Sequence, residues 1–136
     1  QIGRDGTSNK NIELLGPITA STTISASGFI EGRFRRPMYN VESDGAININ
    51  HEGAYLRCGP HEITMSLNSA VAFPIGTEID LIQTSSAGHL RITASAGESV
   101  TLNSRFNLYS ASGQFSAISL KKVGTNEWDM LGDLTF

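Results

Sequence analysis

Three histidines are the side chains of this chain most suited to metal or acid–base chemistry. His51, His61 and His89 lie in separate segments, and none has a second histidine at the spacing of a zinc-binding pair. The sequence also lacks a Gly-x-Ser-x-Gly nucleophile elbow and a glycine-rich phosphate loop. We therefore expect a protein that is not an enzyme and that uses no metal or cofactor. A metal held on a threefold axis by three copies of one histidine is the alternative.

Two groups of carboxylates could act as acids and bases, as in glycan-cleaving enzymes. Glu78 and Asp80 are two residues apart, on the strand face opposite to Ile79 and Leu81. That pattern favours a solvated sheet face over a catalytic pair. The second group lies near the C-terminus and comprises Glu127, Asp129 and Asp133. It could bind a cation or a basic receptor, but simple surface charge is the favoured interpretation.

Aromatic and hydroxyl side chains in turns are the candidates for recognition, because loops carry most binding residues. Tyr109, Ser110 and Ser112 lie in a segment that is typical of a turn, and we expect them to contact a receptor. Trp128 is the only tryptophan. Beside a terminal strand it is predicted to fill the core rather than to stack on a sugar.

The charge and cysteine content excludes several classes of protein. Ten Lys and Arg against thirteen Asp and Glu give a net charge of −3. Without clustered basic residues we expect no nucleic-acid binding, and the basic run at 33–36 is too short to change this. Cys58 is alone, so no disulfide forms within the chain, which fits assembly in a reducing cytoplasm. No apolar run reaches about 18 residues, so membrane insertion is not expected.

A line of isoleucines dominates the N-terminal region. Ile12, Ile18, Ile24 and Ile30 fall six residues apart, with Leu14 and otherwise small residues at the even positions between them and mostly polar residues at the odd ones. This two-residue alternation predicts an extended strand with one buried face. One strand has little of its own to bury against, so we expect three copies of the chain to meet along it. The alternative is an N-terminal strand of an ordinary β-sandwich.

The predicted homotrimer interface follows from this line. It comprises Ile12, Leu14, Ile18, Ala20, Ile24, Ala26 and Ile30.

Turn residues divide the chain into three predicted parts. Residues 1–32 form a connector and fibre shaft, 33–60 a neck hairpin around Asp44-Gly45, and 61–136 a C-terminal head. Within the head we predict strands at 62–66, 70–73, 78–83, 90–94, 99–102, 106–108, 116–123 and 128–131. The predicted fold class is all-β: a short extended trimeric shaft followed by a β-sandwich or barrel-like head. The predicted core includes Ile63, Met65, Leu67, Val71, Phe73, Ile79, Leu81, Leu90, Ile92, Val100, Leu102, Phe106, Ile118, Leu120, Trp128 and Met130.

The C-terminal half resembles a module found near the C-termini of bacteriophage tail fibre and other virion fibre proteins. The resemblance rests on GTEIDLIQ at 76–83, AGHLRITA at 87–94 and SLKKVGTNEWDMLGDL at 119–134. It covers about residues 71–136, and the Ser, Thr and Gly-rich segment at 11–32 is similar to the stalks of such fibres.

The resemblance implies a homotrimeric virion fibre or spike tip. We expect it to be assembled in the host cytoplasm and its head to attach to a glycan or protein of the host surface. We also expect an N-terminal part, missing from this sequence, to bind other virion proteins. The alternative within the same class is a purely structural head fibre, decoration or tail-joint protein without receptor binding. A glycan-cleaving spike and a monomeric cellular carbohydrate-binding module are less favoured.

Overall fold

Short strands separated by tight turns make up the structure, a computed structural model that describes residues 35–95 and 99–136. Two three-residue 3₁₀ turns, Ile49–His51 and Arg105–Asn107, interrupt the strands. The strands of the described residues are β1 (Met38–Val41), β2 (Gly45–Ala46), β3 (Tyr55–Cys58), β4 (Glu62–Met65), β5 (Glu78–Gln83), β6 (Arg91–Ala94), β7 (Thr101–Ser104), β8 (Ser110–Ala111), β9 (Ala117–Gly124), β10 (Glu127–Gly132) and β11 (Leu134–Thr135).

The strands form two mixed sheets. The larger sheet has the order β1-β3-β5-β9-β10-β7, and the smaller has the order β11-β8-β6-β4-β2. In the larger sheet β1, β3 and β5 are parallel, β9 runs antiparallel to β5 and β10, and β7 is parallel to β10. In the smaller sheet β2, β4 and β6 are parallel and β8 is antiparallel to β6.

The first six strands alternate between the two sheets. Odd-numbered strands enter the larger sheet and even-numbered strands enter the smaller one, so each turn of the chain stacks in parallel on the previous turn. The structure thus differs from the hairpin predicted within 33–60, because β1 and β2 flank Asp44 but lie in different sheets. Strands from 35–60 pair with strands from 61–136 in both sheets, within one compact unit.

Side-chain alternation explains how both sheets share one core. Along β5, Ile79 and Leu81 are fully buried while Glu78 faces solvent, as their spacing predicts. Trp128 is buried as predicted, and its ring meets Phe73 edge to face with centroids 5.6 Å apart. The buried apolar residues of both sheets form one cluster: Ile47, Ala54, Leu56, Cys58, Ile63, Met65, Phe73, Ile79, Leu81, Leu90, Ile92, Val100, Ala111, Ile118, Leu120, Trp128 and Met130.

The side chain of Lys122 is buried beside this core. Lys122 is only 2% exposed, and its ammonium donates to Asn68 Oδ1 at 2.5 Å and to the Phe73 carbonyl at 2.7 Å. These bonds connect β9 to the segment between β4 and β5. Residues 70–73, predicted as a strand, instead form turn and irregular backbone there.

The β-rich class predicted for the chain is confirmed, whereas a closed barrel is not formed by the described strands. The predicted shaft, 1–32, and its seven interface residues lie outside the described residues and stay a prediction. Within 35–95 and 99–136, no helix is long and apolar enough to cross a membrane.

Candidate functional site

The loop that follows β7 has an unusual backbone. Strand β7 ends at Ser104, and Phe106 and Asn107 then adopt φ angles of 59° and 56°. Left-handed backbone is disfavoured for residues with a side chain, and bulky residues such as Phe are rarer there than Asn. Two such residues in succession cost of order 1–3 kcal/mol each, and they persist only where surrounding contacts hold them.

Hydrogen bonds within the loop supply those contacts. The Ser104 hydroxyl donates to the Leu108 carbonyl, and the Leu108 N–H donates to the Arg105 carbonyl at 3.3 Å. The Tyr109 hydroxyl donates to Asn107 Oδ1 at 3.4 Å. Hydrogen bonds from the residues before and after Phe106 and Asn107 therefore hold the loop in one conformation.

This loop presents Phe106 to solvent. The Phe106 side chain is 70% exposed, and the Arg105 guanidinium lies 4.6 Å from the centre of its ring. The sequence prediction that Phe106 lies in the core, on a strand at 106–108, is wrong. Strand β7 ends two residues earlier, so the alternation that partly buries Leu102 does not extend to Phe106.

A cavity of about 530 Å³ lies beside the loop, between β7 and the end of β10. We call it the β7–β10 cavity. Its polar lining comprises Asn103, Ser104, Arg105, Asn107 and Asp129. Its remaining lining comprises Leu102, Met130, Leu131, Gly132 and Leu134. The cavity thus combines hydrogen-bonding groups with apolar side chains, the usual composition of a small-molecule site.

An amide connects two of the predicted C-terminal carboxylates next to this cavity. Asn103 Nδ2 donates to Glu127 Oε1 at 2.8 Å and to Asp129 Oδ1 at 3.0 Å. Both amide hydrogens are used, so the orientation of the Asn103 side chain and of Asp129 is fixed at the cavity wall.

Asp133, the third carboxylate of that group, belongs to a separate cluster. It accepts a hydrogen bond from the Ser116 hydroxyl at 2.9 Å, and Ser112 and Ser116 are 2.8 Å apart. Hydrogen bonds from Ser112 and Ser116 lower the pKa of Asp133. The acidic cluster expected from the sequence is therefore divided between two places.

The residues predicted to contact a receptor have different surroundings. Tyr109 is half-buried and lines a second cavity of about 290 Å³. Ser110 is buried in β8, contrary to the exposed turn expected for it, because β8 pairs with both β6 and β11. Ser112 is exposed but bonds to Ser116. Of the three, Tyr109 alone touches the strained loop.

A second polar cluster lies on the outer face of β5. Arg36 donates to Asp80 Oδ2 at 2.5 Å and to the carbonyls of Gly53 and Ala54, and Ser119 donates to Asp80 Oδ1 at 2.5 Å. Partial burial raises the pKa of Asp80, but the bonds from Ser119 and Arg36 outweigh it, so the pKa is lowered overall. This cluster lines a cavity of about 390 Å³ that shares Leu131 and Gly132 with the β7–β10 cavity.

The other chemically reactive side chains are placed less favourably for chemistry. Burial raises the pKa of the Cys58 thiol to about 12, so it is protonated at neutral pH. Of the histidines, His61 lies 3.5 Å from Asp44, and His89 Nδ1 lies 2.8 Å from the Ala111 carbonyl. Within the described ranges, no three His, Cys, Asp or Glu side chains come close enough together to hold a metal ion.

Comparison with known protein families, with curated proteins and with solved structures gives no match. The candidate site therefore rests on its own geometry. The sequence signal for it is the run Ser104-Arg105-Phe106-Asn107, in which an aromatic stands among polar residues and Asn tolerates left-handed backbone.

Proposed function

We propose that this chain is a non-enzymatic component of a phage virion, a homotrimeric fibre whose C-terminal β-sandwich head attaches to the host surface. The observation that carries the proposal is the strained, hydrogen-bonded Arg105–Asn107 loop, which presents an exposed aromatic ring between two residues that line the β7–β10 cavity. Strained backbone clusters at binding sites, and here two residues in succession, Phe106 and Asn107, keep left-handed backbone next to a cavity.

The scaffold supports this role. The loop leaves the end of β7, and β7 is paired to β10, whose Trp128 and Met130 lie in the core. A recognition loop fixed to a packed sheet loses little conformational entropy on binding, which favours affinity. The isoleucine line of 11–32 supports the trimer, because three chains could bury a face that one chain leaves open.

The test combines native mass with cell binding. The purified chain is measured by light scattering and on an unheated SDS gel, and fluorescently labelled protein is then mixed with a panel of bacterial strains. We expect a mass near three chains, an SDS-resistant band, and saturable binding to at least one strain. A monomer that binds no strain would contradict the proposal.

A trimer that binds no cell would favour the alternative, a purely structural head fibre, decoration or tail-joint protein. The exposed Leu131 between two cavities would then be a site for another virion protein. Cell binding therefore distinguishes the two functions, whereas native mass tests the homotrimer that both require.

A further inference from the structure

We propose that the β7–β10 cavity binds an uncharged saccharide, with Phe106 as its stacking platform. This inference deepens the attachment function proposed above and depends on it for its biological role. The binding itself follows from the size, charge and shape of the site.

The cavity has the dimensions and lining of a ligand site. Its volume of about 530 Å³ lies within the range of about 300–1,000 Å³ that small-molecule sites occupy. Asn103, Asn107 and Ser104 place amide and hydroxyl groups in its wall, and Arg105 and Asp129 add a donor and an acceptor. A ligand that carries many hydroxyl groups can satisfy donors and acceptors of this kind together.

The charge of the lining favours a neutral ligand. Arg105 and Asp129 are the charged residues among its lining, and their charges cancel. An acidic ligand that paired with Arg105 would also approach Asp129, with Glu127 held close to it through Asn103, and a basic ligand that paired with Asp129 would also approach Arg105. Like charges brought together in a partly enclosed site are unfavourable.

The loop supplies the apolar part of the site. The face of a pyranose ring carries C–H groups, which pack against an aromatic ring, while its edge carries hydroxyls. Phe106 is exposed and is not itself a lining residue, but its neighbours Arg105 and Asn107 both line the cavity. The Arg105 guanidinium also lies 4.6 Å from the centre of the Phe106 ring, which connects the ring to the rim of the cavity. The left-handed backbone of Phe106 turns its side chain outward. If β7 continued as an extended strand, position 106 would share the inward-facing side of Leu102 and Ser104.

Phe115 provides a matched control for Phe106. It is also a phenylalanine with a positive φ, 65°, and it is 63% exposed, close to the exposure of Phe106. The residues on either side of Phe115, Gln114 and Ser116, do not line the β7–β10 cavity, whereas those on either side of Phe106 do. Phe106→Gly and Phe115→Gly each remove one exposed ring and relieve the same backbone strain, since glycine adopts positive φ freely. Both variants are therefore expected to fold.

The experiment uses the full chain on a glycan array. The array carries neutral oligosaccharides of glucose, galactose, mannose and N-acetylglucosamine, with sialylated and uronic-acid glycans beside them. We expect wild type to bind at least one neutral glycan. Phe106→Gly should weaken that binding about tenfold or more, as the loss of an interface aromatic commonly does. Phe115→Gly should bind within about twofold of wild type, because a ring outside the contact contributes little.

Three results would overturn the inference: no binding to any neutral glycan, binding to acidic glycans alone, or equal binding by wild type and Phe106→Gly. The proposed function fails separately. If wild type and Phe106→Gly adhere equally to a bacterial strain, attachment stands but does not use the saccharide site. If the array supports the site but no strain is bound, the site stands and host attachment does not.

Discussion

At the scale of single residues, the structure separates two carboxylates that look equivalent in the sequence. Glu78 and Asp80 are two residues apart on the outer face of β5. Glu78 pairs with Lys121 at 2.9 Å in an exposed ion pair, whereas Asp80 accepts bonds from Arg36 and Ser119. Exposed pairs contribute little to stability, but hydrogen bonds to a fixed carboxylate contribute more.

We therefore expect Asp80→Ala to lower the free energy of unfolding by about 1–3 kcal/mol. The control Glu78→Ala should change it by less than about 1 kcal/mol. Urea unfolding at fixed protein concentration measures both. An equal decrease in the free energy of unfolding of the two variants would show that the bonds from Arg36 and Ser119 add nothing to the stability that Asp80 contributes.

The lowered pKa of Asp80 also sets the sign of its pH dependence. Its contribution is present above the unfolded value of 3.8 and is lost as pH falls through the lower folded pKa. The difference in stability between wild type and Asp80→Ala should therefore shrink on acidification.

Lys122 should give stability an alkaline pH dependence. Burial lowers the pKa of Lys122 from 10.5, so the unfolded chain holds this proton at pH values where the folded chain has released it. Between the lowered folded pKa and 10.5, the stability of wild type should rise with pH relative to Lys122→Met.

Lys121, next to Lys122 in the sequence, provides the control for this pH experiment. In Lys121→Met the alkaline rise should remain, because Glu78 raises the pKa of Lys121 and the effect of Lys121 lies above the window. Cys58 also titrates at alkaline pH in the unfolded chain, but it is common to all three proteins and cancels in the comparison. Parallel pH profiles for wild type and Lys122→Met would contradict the assignment.

At the scale of elements, one glycine decides whether β10 can end against β9. Gly132 pairs with Ile118 and has a φ of 144°, and a Cβ placed on it would overlap the Ala117 carbonyl oxygen. That oxygen accepts the Asp133 N–H, which starts the turn into β11. A side chain at 132 would force the two strands apart.

We expect Gly132→Ala to destabilise the protein by about 1–3 kcal/mol, because backbone must move to admit the methyl group. Gly45→Ala is the control. Gly45 is also a strand glycine, but a Cβ there meets no atom within 4 Å. The free energy of unfolding of Gly45→Ala should stay within about 1 kcal/mol of wild type, because alanine also lowers the conformational entropy of the unfolded chain. Thermal unfolding of the two variants tests this, and a milder effect at Gly132 than at Gly45 would refute the close approach.

At the scale of the whole molecule, the predicted trimer depends on the isoleucine line rather than on the described β unit. Ile24→Asp would place three carboxylates at one apolar level of the predicted axis, so it should abolish the trimer. Thr23→Asp puts the same charge on the polar face and should keep it. Light scattering measures the mass of each variant. A trimeric Ile24→Asp would remove the basis for an axis along this line.

Local patterns in the sequence determined much of the β unit. Period-two alternation placed Ile79 and Leu81 in the core, and β5 has the bounds predicted for it. Trp128 was placed there as a lone tryptophan beside a terminal strand. Alternation depends only on neighbouring side chains, so it can be read without the fold. The same rule failed at Phe106, because the position where a strand stops is decided by hydrogen bonds that its neighbours form.

Only the tertiary structure decided how the strands are joined and what they bring together. Asp44-Gly45 favours a hairpin locally, yet parallel pairing of β2 with β4 and of β3 with β5 overrides it, because the chain gains a shared core from both sheets. The β7–β10 cavity joins Asn103 and Arg105 to Asp129, which are far apart in the sequence. Their meeting follows from the parallel register of β7 on β10, a non-local contact that no short sequence pattern encodes.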